Sequence, residues 1–181
     1  MSKALFIIDM QNDFITGSLR NEEGIKIVDK IREYADNFDG DIYATRDTHF
    51  DNYLDTLEGK KLPVPHCIFG TDGWEIVYEL NDLPFRKVFN KTTFGCPEVG
   101  TIAGLYDEIE FCGVCTDICV ISNILIVKAN NPDAKITVLE DLCAGTTIEN
   151  HKNALKSMEC CHIDVVNSKD YLKEEEEDKQ L

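Results

Sequence analysis

The chain has 181 residues, of which 43% are hydrophobic, and it carries a formal net charge of -16 at pH 7. A chain of this length can bury most of the surface that it exposes when unfolded, so a single domain is expected. The negative charge disfavours a nucleic acid or an anionic membrane as partner, because both would repel the protein. We expect one domain over residues 1–170, followed by a solvated acidic tail at residues 171–181.

No segment of the sequence favours export or membrane insertion. The apolar run at residues 4–8 ends at Asp9 and is too short for the core of a signal peptide. The stretch 119–127 is interrupted by Ser122 and Asn123 and falls short of the roughly 18 apolar residues of a membrane helix. The eight cysteines lie mostly within apolar segments, which favours reduced thiols. The expected location is cytoplasmic.

Short β-rich runs alternate with helical patterns along the chain, as in βαβ units. We predict strands at about residues 4–8, 41–46, 86–90, 108–114, 135–140 and 162–166. The predicted helices are an amphipathic one at 23–38, one at 117–130 that is buried on nearly every side, and one at 148–159. The fold class is therefore α/β, with three α/β/α layers around a central, mainly parallel, six-stranded sheet of Rossmann-like type.

Candidate N-cap residues precede two of these helices, namely Thr116 for the second and Thr146 or Thr147 for the third. The region 50–85 has no clear periodicity and is rich in Asp, Gly and Pro. Because long loops in compact domains are usually functional, this region is a candidate wall of a binding site.

Reactive side chains gather where the predicted strands end. Asp9 follows the first strand, Asp47 and His49 follow the second, and Lys91 ends the third. The fourth strand leads to Cys119. Ligands of open α/β sheets bind beyond the carboxyl ends of the strands, so we expect these residues to share one rim.

Cys119 is the candidate nucleophile, because it lies near the start of a predicted helix. Helix N-termini lower the pKa of a thiol, and a nearby lysine would lower it further. Asp9 could serve as the base, and backbone N–H groups at 115–119 could stabilise an oxyanion. The other cysteines outside this turn are interpreted as small buried hydrophobic residues: Cys67, Cys96, Cys112, Cys143, Cys160 and Cys161.

Two metal sites can be drawn from the sequence. The stronger one combines Asp47 and His49 with His66, and Glu58 lies between them in the chain; such ligands suit Zn, Mn or Fe. Alternatively, His66 packs against Pro65. The weaker site is a metal or iron–sulfur centre at three closely spaced thiols that lack a fourth ligand: Cys112, Cys115 and Cys119. The remaining histidines, His151 and His162, are expected to be structural and to lie away from the rim.

Five parts of the sequence form one pattern: IIDMQNDF at 7–14, TRDTH at 45–49, PH at 65–66, Lys91 and GVCTDICV at 113–120. Together they resemble the isochorismatase-like cysteine hydrolases, which include the nicotinamidases and pyrazinamidases. Their order and approximate spacing match that family over about residues 4–166. The resemblance implies the fold predicted above and hydrolysis of a small carboxamide, most simply nicotinamide to nicotinate and ammonia.

The resemblance also implies roles for individual residues. Asp9, Lys91 and Cys119 would form a catalytic triad, with an oxyanion held by the backbone N–H groups of Cys115 and Cys119, and the Val114–Cys115 peptide would be cis. Phe14 would form a wall of the substrate pocket. Four side chains would hold a divalent ion, with zinc the first choice and Glu58 the least certain ligand: Asp47, His49, Glu58 and His66.

The sequence departs from the family pattern at several positions. Cys115 replaces a common alanine, Ile118 replaces an aromatic or polar residue, and residues 91–95 read KTTFG. The residues at 62–65, before His66, include no Trp or Phe that could stack on a substrate ring. These departures leave open another small amide or an isochorismatase-type substrate, although the Asp-His-His group makes the latter less expected.

A reading from another class is a non-catalytic thiol redox or metal-sensing protein. It would use the three thiols of the weaker metal site without turnover. A thiol titration separates it from an enzyme, since one fast-alkylated thiol indicates a nucleophile and a coupled pair indicates a sensor. For an enzyme we expect a small-molecule partner and assembly into a homo-oligomer.

Overall fold

The computed structural model of the protein describes residues 2–178, with side chains up to residue 173. Six strands form one sheet. They are β1 (Lys3–Ile8), β2 (Asp41–Asp47), β3 (Phe85–Lys91), β4 (Glu108–Val114), β5 (Lys135–Ala144) and β6 (Asp164–Val166). All neighbouring strands are parallel, in the order β3-β2-β1-β4-β5-β6. The predicted α/β class and the six predicted strands are confirmed.

Seven α-helices accompany the sheet in the described residues. They are α1 (Asn12–Ile15), α2 (Glu22–Asp36), α3 (Leu57–Lys61), α4 (Pro97–Ala103), α5 (Ile121–Asn130), α6 (Ile148–Cys160) and α7 (Ser168–Asp178). The Asn21 side chain caps α2 by accepting from the N–H groups of Glu23 and Gly24, and Thr147 caps α6 as predicted. Because the strand order reverses at β1, right-handed connections place helices on both faces of the sheet.

The segment after β4 differs from its prediction. Residues Thr116–Val120 form a π-helical turn with Cys115, not Thr116, at its N-cap position, and α5 starts only after it. The helix was expected to be buried on nearly every side, but in α5 only Asn123, Ile124 and Val127 are buried, and Leu125 is 39% exposed. Apolar residues lie on all sides of α5, but the helix packs against the rest of the protein through one face only. The expectation of full burial is therefore wrong.

The reversal of strand order brings the ends of β1 and β4 side by side. Ile8 pairs with Gly113, which has a φ of +117°. A Cβ atom at Gly113 would lie 2.2 Å from the carbonyl oxygen of Ile8, so only glycine allows this approach. The crevice at such a reversal is the usual ligand site of doubly wound sheets.

The C-terminal residues continue as α7, and Tyr171 in its first half is buried. The division into a domain at 1–170 and a solvated tail remains a prediction, and residues 179–181 lie outside the described part. Within residues 2–178, no helix is both long and apolar enough to cross a membrane.

Candidate active site

Asp9, Lys91 and Cys119 meet in the buried interior at the carboxyl end of the sheet. Nζ of Lys91 lies 2.7 Å from Oδ2 of Asp9 and 3.5 Å from Sγ of Cys119. The three residues come from the end of β1, the end of β3 and the π-helical turn after β4. All three are at most 5% exposed. One ammonium group thus contacts both a carboxyl group and a thiol.

The Asp9 carboxylate is fixed from a second side. Thr45 Oγ1 donates to Oδ1 of Asp9 at 2.6 Å, and the backbone N–H of Asp9 donates to the carbonyl of Thr45 at 3.2 Å. The φ of Asp9 is +50°, a left-handed conformation that is uncommon outside glycine and often marks functional positions. The position and rotamer of this carboxylate are therefore held by neighbouring strands.

The charges of the three groups follow from burial and from their contacts. Burial favours a neutral amine, but Asp9, Cys119 and Asp47 outweigh it and hold the pKa of Lys91 well above its usual range. Burial raises the pKa of Asp9, and the Lys91 ammonium offsets this only in part. Lys91 is the permanent positive charge of this cluster.

The thiol of Cys119 is protonated at neutral pH in this arrangement. Burial raises its pKa well above the usual range, and Asp9 raises it further, while Lys91 lowers it without reversing the sum. The expectation of a lowered thiol pKa at a helix start is therefore wrong, because burial and a neighbouring carboxylate dominate. A nucleophilic thiolate must form by transfer of the proton to a base.

Four side chains beside this cluster converge as a group, here called the metal group: Asp47, His49, Glu58 and His66. One potential ligand atom of each lies within 4.8 Å of those of the others. Nε2 of His49 lies 2.9 Å from Oδ2 of Asp47 and 3.5 Å from Oε1 of Glu58. Nε2 of His66 lies 3.6 Å and 3.7 Å from the same two oxygens. Ligands bound at about 2.1 Å around a tetrahedral ion lie about 3.4 Å apart, so this group fits a zinc-sized ion.

The tautomer of His66 is set by the backbone. Its Nδ1 lies 2.8 Å from the carbonyl of Val64, which can only accept, so Nδ1 carries the proton and Nε2 offers its lone pair to the group. Burial alone would raise the pKa of Asp47, but its hydrogen bond with His49 and the nearby Lys91 ammonium hold that pKa well below its ordinary value. The metal group thus contains a charged carboxylate facing an imidazole nitrogen free to coordinate.

Gln11 holds Asp47 in place and was not singled out from the sequence. Its side chain accepts from the N–H of Asp47 at 2.7 Å and donates to the carbonyl of Asp47 at 2.9 Å. Its amide also donates to the carbonyl of Trp74 at 2.8 Å. Gln11 lies in the first family-like segment, which is the feature that could have revealed it.

Asn123 is a second residue that the sequence did not reveal as part of the site. Its side chain donates to the carbonyl of Cys119 at 2.8 Å and to that of Phe94 at 3.2 Å, and it accepts from the N–H of Cys96 at 2.9 Å. Asn123 is fully buried. It connects the turn that carries Cys119 to the loop that follows Lys91.

His151 lies closer to the site than expected. Its Nδ1 is 2.8 Å from Oγ1 of Thr116, in the same turn as Cys119. The expectation that His151 lies away from the rim is therefore wrong, because α6 packs against the π-helical turn. His162, in contrast, is exposed, next to the start of β6. The peptide bond Val114–Cys115 is cis, as the resemblance implied.

A cavity of about 920 Å³ opens above these groups. Asp47, His66 and Cys119 reach it at its buried end, here called the floor, and Phe14 and Cys115 also line it. The ring of Phe14 lies 5.5 Å from the ring of His66. The region 50–85 supplies part of the wall, as predicted from its irregular sequence: Leu57, Glu58, Lys61, Leu62 and His66.

The cysteines divide into two groups. All eight are free thiols, and four of those interpreted as buried hydrophobic residues are buried: Cys67, Cys96, Cys112 and Cys143. Cys160 and Cys161 are exposed instead, because they lie where α6 ends at the surface, so that interpretation is wrong for this pair. Within the described residues, one set of three or more potential metal ligands converges, and that set is the metal group. It contains no cysteine.

A model of the isochorismatase domain matches residues 3–170. The chain belongs to the isochorismatase family. Among curated proteins, it is 29% identical to the nicotinamidase/pyrazinamidase of Mycobacterium tuberculosis, over 91% of this chain and 98% of that protein. It is 32% identical to an uncharacterized isochorismatase family protein of Bacillus subtilis, over 86% and 93% of the two chains.

Solved structures of family members have the same fold. The pyrazinamidase of Pyrococcus horikoshii in complex with zinc superposes with a TM-score of 0.77 at 28% identity, over 92% of this chain and 99% of that one. PnC1 from L. infantum in complex with nicotinate superposes with a TM-score of 0.83 at 22% identity, over 93% of each chain. The latter similarity concerns the fold alone.

Proposed function

We propose that this isochorismatase family protein hydrolyses nicotinamide to nicotinate and ammonia through a thioester on Cys119. The observation that carries the proposal is the contact of Lys91 with both Asp9 and Cys119 at the floor of a cavity, beside the metal group. The relative from Mycobacterium tuberculosis, named a nicotinamidase/pyrazinamidase, supports the substrate class.

The first step is a proton transfer. The thiol of Cys119 has a raised pKa, so Asp9 takes its proton as the thiolate attacks the carboxamide carbon. Lys91 remains charged and stabilises the thiolate as the negative charge leaves the carboxylate. The net charge of the three groups stays constant, which limits the cost of the step in a buried site.

The second half of the reaction uses the same groups. The N–H groups of Cys115 and Cys119 hold the oxyanion, and Asp9 returns its proton to the nitrogen as the C–N bond breaks and ammonia leaves. Asp9 then takes a proton from water, whose oxygen attacks the thioester carbon. The thiol of Cys119 leaves with that proton, and the acid is released.

The metal group would hold a divalent ion, and zinc is our first choice because the pyrazinamidase of Pyrococcus horikoshii was solved with zinc. Such an ion would bind the ring nitrogen of a pyridine carboxamide and so anchor the substrate. Asp47, His49 and His66 supply one carboxylate and two imidazoles, and Glu58 is a fourth candidate ligand. Phe14 would contact the ring from one side.

We further propose a cytoplasmic location and assembly into a homo-oligomer. Eight free cysteines suit a reducing compartment, because thiols in oxidising compartments form disulfides. Sedimentation velocity of the full chain would establish the number of subunits.

Ammonia release from a panel of small amides tests the function. We expect nicotinamide and pyrazinamide to be hydrolysed, and the rate to fall after chelation and return with added zinc. The panel should also include a vinyl-ether substrate of the isochorismatase type. Hydrolysis of that substrate without release of ammonia from any amide would overturn the proposal.

A further inference from the structure

The cavity above Cys119 is larger than one ring amide requires. Its volume of about 920 Å³ lies at the upper end of the roughly 300–1,000 Å³ that holds a drug-sized ligand. A pyridine ring with a carboxamide fills only a small part of such a space. The floor, with Asp47, His66 and Cys119, would anchor this ring and leave the outer cavity empty.

The outer cavity is apolar. Its wall, here called the mouth, contains four exposed side chains from α3 and the residue after it, the loop after β3, and the start of α6: Leu57, Leu62, Phe94 and Ile148. Leu57 is 71% exposed and Ile148 is 60% exposed. Leu19 and Ile118 extend the same surface toward the floor. These apolar side chains and the thiol of Cys119 line the same cavity.

Two acidic residues that line the cavity, Glu22 and Glu23, are paired with basic neighbours. Nε of Arg20 lies 2.7 Å from Glu22, and Nζ of Lys26 lies 2.6 Å from Glu23. These pairs neutralise the charges of Glu22 and Glu23, and Lys61 adds one further cation to the cavity wall. Aliphatic and aromatic side chains, in contrast, gain free energy when an apolar group covers them.

We propose that the site accepts carboxamides with a bulky apolar group, whose ring lies on the floor and whose substituent lies against the mouth. The proposal rests on the proposed function, because it uses the same attack by Cys119 and the same release of ammonia. A substituent at ring position 5 of nicotinamide points away from both the ring nitrogen and the carboxamide, so it would extend toward the mouth. Ile148 and Leu57 are then specificity-determining residues.

The test compares kcat/KM for nicotinamide and 5-phenylnicotinamide, measured as ammonia release by the full chain with zinc present. We expect the phenyl compound to have a kcat/KM about tenfold higher or more. Burial of the added phenyl group against the mouth contributes enough binding free energy for at least that factor. Nicotinamide hydrolysed with no hydrolysis of the phenyl compound would overturn the inference and leave the proposed function standing. Ammonia from neither compound would overturn both.

Variants at the mouth make the test specific. Ile148→Asp places a charge on the apolar wall at the first residue of α6, where a carboxylate is compatible with the helix dipole. It should lower the ratio of the two kcat/KM values about tenfold or more. Leu105→Asp is the matched control, because Leu105 is 70% exposed and does not line the cavity, and it should leave the ratio unchanged.

The competing occupant of the mouth is a second copy of this chain. Sedimentation velocity of Ile148→Asp and Leu105→Asp decides between a substrate substituent and a second copy. An unchanged oligomeric state in Ile148→Asp, together with the lowered ratio, supports the substrate. Dissociation of an oligomer with an unchanged ratio would show that the mouth is an interface and would overturn the inference.

Discussion

The floor and the mouth of the cavity are built in different ways. Beneath the floor, Asp9 and Lys91 lie at strand ends, are almost completely buried, and contact each other at 2.7 Å. At the mouth, Leu57 and Ile148 lie on helix starts with most of their surface exposed. The sheet therefore positions two residues of the proposed catalytic triad, whereas helix starts supply the residues that we propose select the substrate. We therefore expect that reaction and specificity can be changed separately.

The largest effect should come from the floor. Cys119→Ala removes the proposed nucleophile, and we expect kcat to fall by about 10⁴-fold or more, as for loss of a covalent step. Thermal unfolding should change little, because a small residue replaces a small one. Cys115→Ala should retain turnover, since the backbone N–H is kept. An inactive Cys115→Ala beside an active Cys119→Ala would show that Cys115, and not Cys119, is the nucleophile.

The next largest effects should come from Asp9 and Lys91, which change the pKa of Cys119 in opposite directions. Asp9→Asn should lower kcat by about 10²- to 10⁴-fold, because no general acid remains for the departing ammonia. Because Asp9 raises the pKa of Cys119 and Lys91 lowers it, Asp9→Asn should move alkylation of Cys119 to lower pH and Lys91→Met to higher pH.

Iodoacetamide labelling of Cys119, measured across a pH series by peptide mass spectrometry, checks both directions. Lys87→Met, an exposed lysine on the same strand, is the matched control and should leave the profile unchanged. Two shifts in the same direction would contradict the electrostatic account, in which Lys91 and Asp9 act on the thiol with opposite signs.

The metal group should show a graded response. His49→Ala removes a proposed ligand that contacts both carboxylates and should weaken zinc binding by at least about 100-fold, more than the loss of an outer-shell partner. Glu58→Ala should weaken it less, because the Glu58 side chain is 25% exposed and lies at the edge of the group. Calorimetric titration with zinc measures both, and the exposed His162→Asn is the control. Equal losses in the two ligand variants would contradict this order.

Asn123 should give the smallest of the four effects. Asn123→Ala leaves the carbonyls of Cys119 and Phe94 and the N–H of Cys96 without their partner. Each unsatisfied buried group costs about 1–3 kcal/mol of folding free energy. The turn should then be less well positioned, so that kcat falls about 10- to 100-fold while KM changes little. Asn130→Ala, an exposed site on the same helix, is the control. A change confined to stability would make Asn123 structural only.

The strands of the sheet were predictable because their apolar runs are short and are separated by helical patterns. The length of β5 was not, since Glu140 and Asp141 interrupt its apolar pattern, and pairing of its last residues with Gly113 and Val114 extends it to Ala144. The exposure of α5 was missed for a related reason. A sequence shows which residues are apolar, but only packing decides which side of a helix is covered.

The residues of the floor were predictable from their places at strand ends and from the family resemblance. In the sequence, Asn123 only interrupts an apolar run, and His151 is predicted to lie away from the rim. Their contacts join segments that are distant along the chain, so no local pattern reveals them. The predicted direction of the Cys119 pKa shift is wrong for a similar reason, because burial and the contact with Asp9 raise this pKa more than Lys91 lowers it.

The most direct test of the central claim is to observe the thioester. The full chain with zinc should be mixed with excess nicotinamide, quenched in acid during turnover, digested and mapped by mass spectrometry. We predict a nicotinoyl group on Cys119 in the peptide that contains this residue, and no nicotinoyl group on the corresponding peptide of Cys119→Ala. A nicotinoyl group on Cys115, or continued ammonia release by Cys119→Ala, would contradict the account.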